Sequence, residues 1–408
     1  MPETMLDGIA SDPLKMGWMQ GTPPLPEHQI LRARADHMRF PMIRWSYSNM
    51  RNFAPTARVA ASGEGHPFAR RLREDLADVS FKPLGSDETT TFGQSLTQAY
   101  TDGIIVLHRG EVVFERWFGV TTPETCHIAF SVTKSFVGTL AQILIDEGRL
   151  DPAELVGNLV PELAVSGFGS ATIGQVMDMT TALDFSENYA DPNSGIGAYS
   201  AALGLTPRAS EYQGPRDLWS YAATLACAGA HGDGFVYRTP NTDVLAWIVS
   251  RIEGRPLHQI LSDRLWRPLG MIGDADLMVD ECGSPFAGGG LNLRLEDLAR
   301  FGEALRLGGA GAIPAGAIAR IRSGGDLAKF DAAAYPLLSG WSYASQWWHS
   351  HDAHGAFSAR GIHGQTLWID PQAEMVIARF ASHPIAANGA NDPLSLPAWR
   401  ALAEALTR

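Results

Sequence analysis

The sequence predicts an α+β protein: an antiparallel sheet flanked by helices, with a mostly helical lobe inserted into it. Three observations carry this. Residues 103–118 read as a β-hairpin. Strand-like segments return only near the end, at 345–348, 365–369 and 375–380. Between them, from about 151 to 280, the chain reads as helices and loops. Strands at both ends with helices between argue for one layer split by an insertion. The expected organisation is an N-terminal arm packed on the body (1–85), an α/β lobe (86–150 and 285–408) and a helical lobe (151–284).

Taken in order, residues 1–85 are irregular and rich in Pro, Arg and aromatics. The hairpin follows. Ile104-Ile105-Val106-Leu107 forms its first strand, Arg109-Gly110 the turn and Val112 to Phe118 the second strand. The unbroken apolar run in the first strand predicts burial on both faces. A helix is expected over 131–148, with Phe136, Val137, Leu140, Leu144 and Ile145 at helical spacing and Gly148 closing it. Being apolar over most of its circumference, it should be buried. Thr172 is placed to cap a helix through Met179. Residues 184–197 form a loop, 215–228 a helix, and 235–240 a short extended piece. Helices are expected at 241–253, 257–265, 296–307 and 397–406. Gly288-Gly289-Gly290 permits close backbone approach, and Pro371-Gln372 marks a turn.

The chain's 408 residues suffice for two domains or one two-lobed unit. Its net charge of -12 argues against a nucleic-acid partner. Cys126, Cys227 and Cys282 are too far apart for a metal motif or a disulfide framework, which fits a reducing, cytoplasmic setting. The first 20 residues lack a basic stretch followed by an apolar core, so no signal peptide is read. No apolar run reaches the length of a membrane span. The oligomeric state stays open, with a homodimer the assembly considered.

The chemistry concentrates at Ser131-Val132-Thr133-Lys134-Ser135. Positions three apart share a helix face, so the Ser131 hydroxyl and the Lys134 amine can meet. The lysines are only Lys15, Lys82, Lys134 and Lys329, which makes one inside an apolar helix less incidental. A buried lysine favours its neutral form or leans on neighbouring hydroxyls. That can activate a serine without a histidine. The bland alternative is a capping serine beside a surface lysine.

With these residues the chain resembles the serine β-lactamase and penicillin-binding protein superfamily, on its class C side. Within it, the chain is most similar to the 6-aminohexanoate-dimer hydrolases and related carboxylesterases. The resemblance covers about residues 101–384. It rests on the Ser131 block, Leu144 to Asp151, Asn241 to Ile248, Ala287 to Leu291, and Gly361-Ile362-His363-Gly364-Gln365. It implies a β-lactamase/transpeptidase-like fold and an acyl-enzyme mechanism with no cofactor and no metal. Ser131 would be the nucleophile. Lys134 and Tyr237 would share the proton work, the phenol as a tyrosinate whose pKa the lysine's charge lowers. The N–H groups of Ser131 and Ile362 would form the oxyanion hole. Tyr237-Arg238-Thr239 would keep a hydroxyl at its third place. Tyr189 would donate a hydrogen bond to a substrate amide, beside Gly361 and His363, the latter structural rather than a base. Two departures stand out. Ala359-Arg360-Gly361 replaces the usual Lys-Thr-Gly, so that cation is shifted or lost. Ser200 stands where nylon-oligomer hydrolases carry a carboxylate for the substrate's ammonium, and Asp191 is nearby but unplaced.

His349-Ser350-His351-Asp352-Ala353-His354 resembles the metal motif of metallo-β-lactamases, with its Asp one place early. A solvated histidine-rich loop is the better reading. The expected function is therefore a serine hydrolase cleaving small carboxylic esters, with linear amides such as the 6-aminohexanoate dimer close behind. A β-lactamase, a D-Ala peptidase-like enzyme, a metal-dependent hydrolase on the histidine loop and a non-catalytic relative are the alternatives.

Overall fold

The computed structural model describes residues 5–191, 193–208 and 210–408. Residues 1–4 of the N-terminal stretch and Pro192 of the 184–197 loop lie outside these. The main layer is a seven-stranded sheet, antiparallel throughout. Its order is Glu111–Trp117, Thr101–His108, Met375–Ala381, Gln365–Asp370, Phe357–Gly361, Trp347–His349, Ser342–Ala344. The fold is thus α+β, as the sequence predicts.

The hairpin forms where expected. Arg109 and Gly110 both have positive φ, the geometry that matches the right-handed twist of the flanking strands. The apolar run splits by face. Ile105 and Leu107 join one core with the helix Val132–Asp146; Ile104 and Val106 join another with Phe92, Trp399 and Leu402. Alternation along a strand delivers neighbours to opposite faces. With helices on both sides, an uninterrupted apolar strand is what an antiparallel sheet requires here too.

The end of the chain differs from expectation. The single strand expected at 345–348 is two strands, Ser342–Ala344 and Trp347–His349, joined at Ser345 and Gln346, both with positive φ. Neither residue is Gly, Asn or Asp, the types that favour positive φ, so the sequence carries no clear signal for this turn. Phe357–Gly361, between the histidine loop and Gly361, is a full strand that pairs Gly361 with Gln365. The closing helix spans Asp392–Thr407 with Pro397 inside it. The piece 235–240 pairs with no strand, and Pro240 begins the helix Pro240–Glu253.

Residues 5–85 are bound into the body by more than surface packing. Thr56–Val59 is the edge of a four-stranded sheet, paired with Ala275–Met278, then Leu291–Leu293 and His127–Ile128. Arg44 is buried and donates to Asp102 at 2.8 Å and to the Tyr100 carbonyl at 2.7 Å. A buried guanidinium is tolerated because that carboxylate and carbonyl replace water.

The helix Val132–Asp146 is buried from Val132 to Leu144. A β-carbon on Gly138 would stand 2.3 Å from the Ser345 carbonyl oxygen, so only glycine lets the helix sit against that turn. The Ser135 hydroxyl donates to the Gln346 carbonyl at 2.7 Å. These contacts fix the helix start, and with it Ser131, against the sheet.

Candidate active site

Ser131 precedes the first residue of the buried helix, and Lys134 lies one turn on. Lys134 is 1% exposed. Its Nζ donates to Ser131 Oγ at 3.0 Å, to Thr239 Oγ1 at 3.1 Å and to the Gly288 carbonyl. Burial pushes its pKa down to about 8, while the charges of Glu187 and Asp243 resist the shift. The glycine expected to allow close approach does so. A β-carbon on Gly288 would stand 2.4 Å from the Thr239 methyl carbon.

Glu187 was not singled out from the sequence. It accepts from the Thr239 backbone N–H and hydroxyl, each at 2.6 Å, and from the Tyr189 hydroxyl at 2.7 Å. Asp243 was also missed as a site group. It is buried, accepts from Tyr199 at 2.6 Å and from the Gly288 N–H at 2.9 Å, and burial raises its pKa to about 7.

These bonds orient the lysine. The Gly288 carbonyl can only accept. The Thr239 hydroxyl is committed to Glu187, so its oxygen also accepts from Lys134. Of the three neighbours, only Ser131 is free to donate. When Lys134 is neutral, its lone pair therefore faces the serine hydroxyl.

Tyr237 lies against Ser131 with its ring centroid 5.2 Å from Lys134 Nζ and stacked on Trp348 at 5.5 Å. A hydrogen bond to Ser131 favours its ionised form, but burial and the charge of Glu187 outweigh it and hold the phenol well above its ordinary value. These surroundings work against the expected tyrosinate: the lowered pKa belongs to Lys134, and that of Tyr237 is raised. Burial is the main reason, and the negative charge of Glu187 adds to it.

Gly361 ends its strand beside the serine. A β-carbon there would come 2.6 Å from the Ala129 carbonyl oxygen and 3.1 Å from the Ser131 nitrogen. The backbone of Ile362 follows directly, so the two expected oxyanion donors belong to adjacent backbone segments. His363 holds φ 62° and sits against the His383 carbonyl at 2.6 Å; burial lowers its pKa to about 4, so it is neutral. Arg360 is turned away from the serine helix and pairs with Asp392, its guanidinium 5.4 Å from the Trp348 ring.

The cleft has two arms. Both are lined by Ser131, Glu187, Tyr189 and Ile362. The larger, about 540 Å³, is walled by Met38, Ile196, Tyr199, Ser200, Phe286 and His363. The smaller, about 320 Å³, is walled by Tyr237, Tyr335, Leu337, Trp348, Arg360 and Gly389. Tyr189 is 41% exposed at the wall while its hydroxyl turns in to Glu187. Ser200 lines the larger arm, its hydroxyl bonded to the Ile196 carbonyl. Asp191 caps a loop turn through Asn193 instead.

The histidine loop disperses. His351 Nε2 lies 2.6 Å from Ser342 Oγ, His354 Nδ1 lies 2.8 Å from Asp370, and His349 is buried beside Phe357. Among the described residues, no group of three or more His, Cys, Asp or Glu is placed to hold a metal. Nor is any helix there long and apolar enough to cross a membrane.

A serine at a buried helix start against a desolvated lysine, on a sheet of this topology, defines a class of serine hydrolases. The chain belongs to the beta-lactamase family, whose profile matches residues 90–394, and it is a serine hydrolase. It is 35% identical over 349 residues to the 6-aminohexanoate-dimer hydrolase of Paenarthrobacter ureafaciens, covering 84% of this chain and 86% of that one. A solved Bacillus anthracis structure, provisionally named a 6-aminohexanoate-dimer hydrolase, superposes with a TM-score of 0.84 at 29% identity, covering 95% of this chain and 99% of that one. EstCE1, a hydrolase with promiscuous acyltransferase activity, shares the fold at a TM-score of 0.59 and 17% identity, covering 76% and 96%.

Proposed function

We propose that the protein hydrolyses small carboxylic esters through an acyl-enzyme on Ser131. Neutral Lys134 takes the Ser131 proton as Oγ attacks the carbonyl carbon. The N–H groups of Ser131 and Ile362 hold the oxyanion, an arrangement in which one donor is worth about 2.7–4 kcal/mol. The start of the helix Val132–Asp146 adds a favourable dipole. As the tetrahedral intermediate collapses, the proton returns to the leaving alkoxide through Tyr237, and Lys134 replenishes the phenol. Water then attacks the acyl-enzyme, Lys134 taking its proton and Ser131 recovering it. Gly361 and His363 wall the substrate's path, and Tyr189 meets the group beyond the scissile bond. No metal or organic cofactor enters any step.

The observation that carries this reading is the Lys134 Nζ to Ser131 Oγ bond of 3.0 Å inside a desolvated pocket. A second reading, hydrolysis of linear amides such as the 6-aminohexanoate dimer, is favoured by the 35% identical relative of that name. The charge of -12 and three free cysteines fit small-molecule substrates and a reducing, cytoplasmic setting. A homodimer is kept as the assembly to test by sedimentation.

The test pairs a fluorophosphonate probe with three substrates. Labelling at Ser131, p-nitrophenyl acetate turnover and loss of both in Ser131→Ala, with a rate fall of about 10⁴-fold or more, support the proposal. Unchanged ester turnover in Ser131→Ala would overturn it. Faster turnover of the amide dimer than of the ester selects the second reading, and rapid nitrocefin turnover moves the assignment to a β-lactamase.

A further inference from the structure

Behind the smaller arm, on the sheet face away from the serine helix, lies a second cavity of about 10 Å³. Strand register places its wall. Ser358 pairs with Trp368, Arg360 with Thr366, and Thr366 with Arg379, so Ser358, Arg360, Trp368 and Arg379 share one face of three neighbouring strands. Asn391 and Asp392, at the start of the helix Asp392–Thr407, close the other side.

The walls hold a concentration of unmet polar groups. Arg360 Nη1, Trp368 Nε1, Ser358 Oγ and both side-chain heteroatoms of Asn391 are buried with no hydrogen-bond partner among the described residues. Each residue is at least nine-tenths buried. Buried polar groups are almost always satisfied, so a cluster facing one cavity points to a bound species. A cavity of this size takes one water-sized occupant.

The character of the groups selects it. Arg360 Nη1, Trp368 Nε1 and Asn391 Nδ2 can only donate, and the Ser358 hydroxyl is free to donate. Asn391 Oδ1 alone must accept. Two guanidiniums, Arg360 and Arg379, face one carboxylate, Asp392, which leaves one positive charge in excess. Arg379 and Asn391 are close together: a β-carbon on Gly364 would lie 3.3 Å from Arg379 Nη2 and 3.5 Å from Asn391 Nδ2. Arg379 spends its other nitrogens on the Gly364 carbonyl and Ser395. The start of a long helix adds partial positive charge. A water molecule could donate to Asn391 Oδ1 but accepts from only about two of the four donors, whereas a small anion accepts from all four and leaves Asn391 Oδ1 alone unmet.

We propose that this cavity is a binding site for one monoatomic anion, a halide, with chloride the physiological occupant. It holds Arg360 from behind while Asp392 holds it from the side, and Arg360 immediately precedes the Gly361-Ile362 turn into the catalytic cleft. The site does not depend on the reaction proposed for Ser131.

The test uses the full chain. The melting temperature is followed in sodium chloride and sodium bromide against sodium gluconate at equal ionic strength, and crystals soaked in sodium bromide are measured at the bromine edge. A saturable halide-specific rise of about 2 °C or more is expected, with an anomalous peak between Arg360, Trp368 and Asn391. Trp368→Phe, which removes one donor, should weaken the halide midpoint about tenfold. If that variant fails to fold, Ser358→Ala serves, with a smaller weakening. A water without anomalous signal in the cavity, or equal melting temperatures in halide and gluconate, overturns the proposal.

Discussion

The larger arm of the cleft is walled by the N-terminal segment, through Met38, and by the helical lobe, through Ile196, Tyr199, Ser200 and Phe286. The smaller is walled by the strand ending at Gly361 and by the loops carrying Tyr335, Leu337 and Gly389. Both open onto the same Ser131, so the proposed chemistry is common to them and selectivity lies in their walls. Among its described residues the larger arm holds no charge beyond Glu187, which is already engaged with Thr239 and Tyr189. The smaller has a cation, Arg360, already paired with Asp392. Among the described residues neither arm presents a free charge to a substrate, which is the physical ground for preferring neutral esters over a zwitterionic amide.

The comparison can be broken at the point the arms share. Gly361→Ala should drive the backbone off Ser131 and cut kcat about 100-fold or more for every substrate, whichever arm it fills, as loss of one oxyanion donor does. Steady-state kinetics on short and long acyl esters, with circular dichroism as a folding control, check this. A loss confined to one substrate size would show that the arms do not share the oxyanion site. Ser200→Asp acts on the larger arm alone. It should raise kcat/KM for the ammonium-bearing 6-aminohexanoate dimer about tenfold, as a partly buried charge-assisted contact is worth ~1.5–3 kcal/mol, and leave p-nitrophenyl acetate unchanged. Equal effects on both substrates would remove Ser200 from specificity.

The smallest expected effect is a displacement along the pH axis. Only the neutral amine accepts the serine proton, so kcat/KM should rise with pH through a value near 8. The charge of Glu187 favours the ammonium form of Lys134. Glu187→Gln removes that charge, so the pKa falls and the rising limb moves to lower pH. A limb that stays in place would show that the titration belongs to another group.

Legibility in the sequence followed the range of the interactions. The helix carrying Ser131 and Lys134 was readable because its periodicity, its lysine and its closing glycine are local. The hairpin was readable because Arg109-Gly110 is a turn by its own residue types. The turn at Ser345 and Gln346 was not, since packing against Gly138 and Ser135 decides it. Glu187, Asp243 and Gly288 were not readable as site groups either, because three separate segments converge on one ammonium group.

By itself, then, the sequence determined the architecture, the candidate nucleophile and the lysine beside it. Spacing three residues apart on a buried helix leaves the hydroxyl and the amine nowhere else to go. Tertiary structure alone decided in which direction each candidate base is shifted. Burial lowers the pKa of Lys134 and raises that of Tyr237, and Glu187, brought in from a loop, adds to the second shift. A pKa depends on the charges and the dielectric gathered around a group in space, and no linear spacing records that gathering.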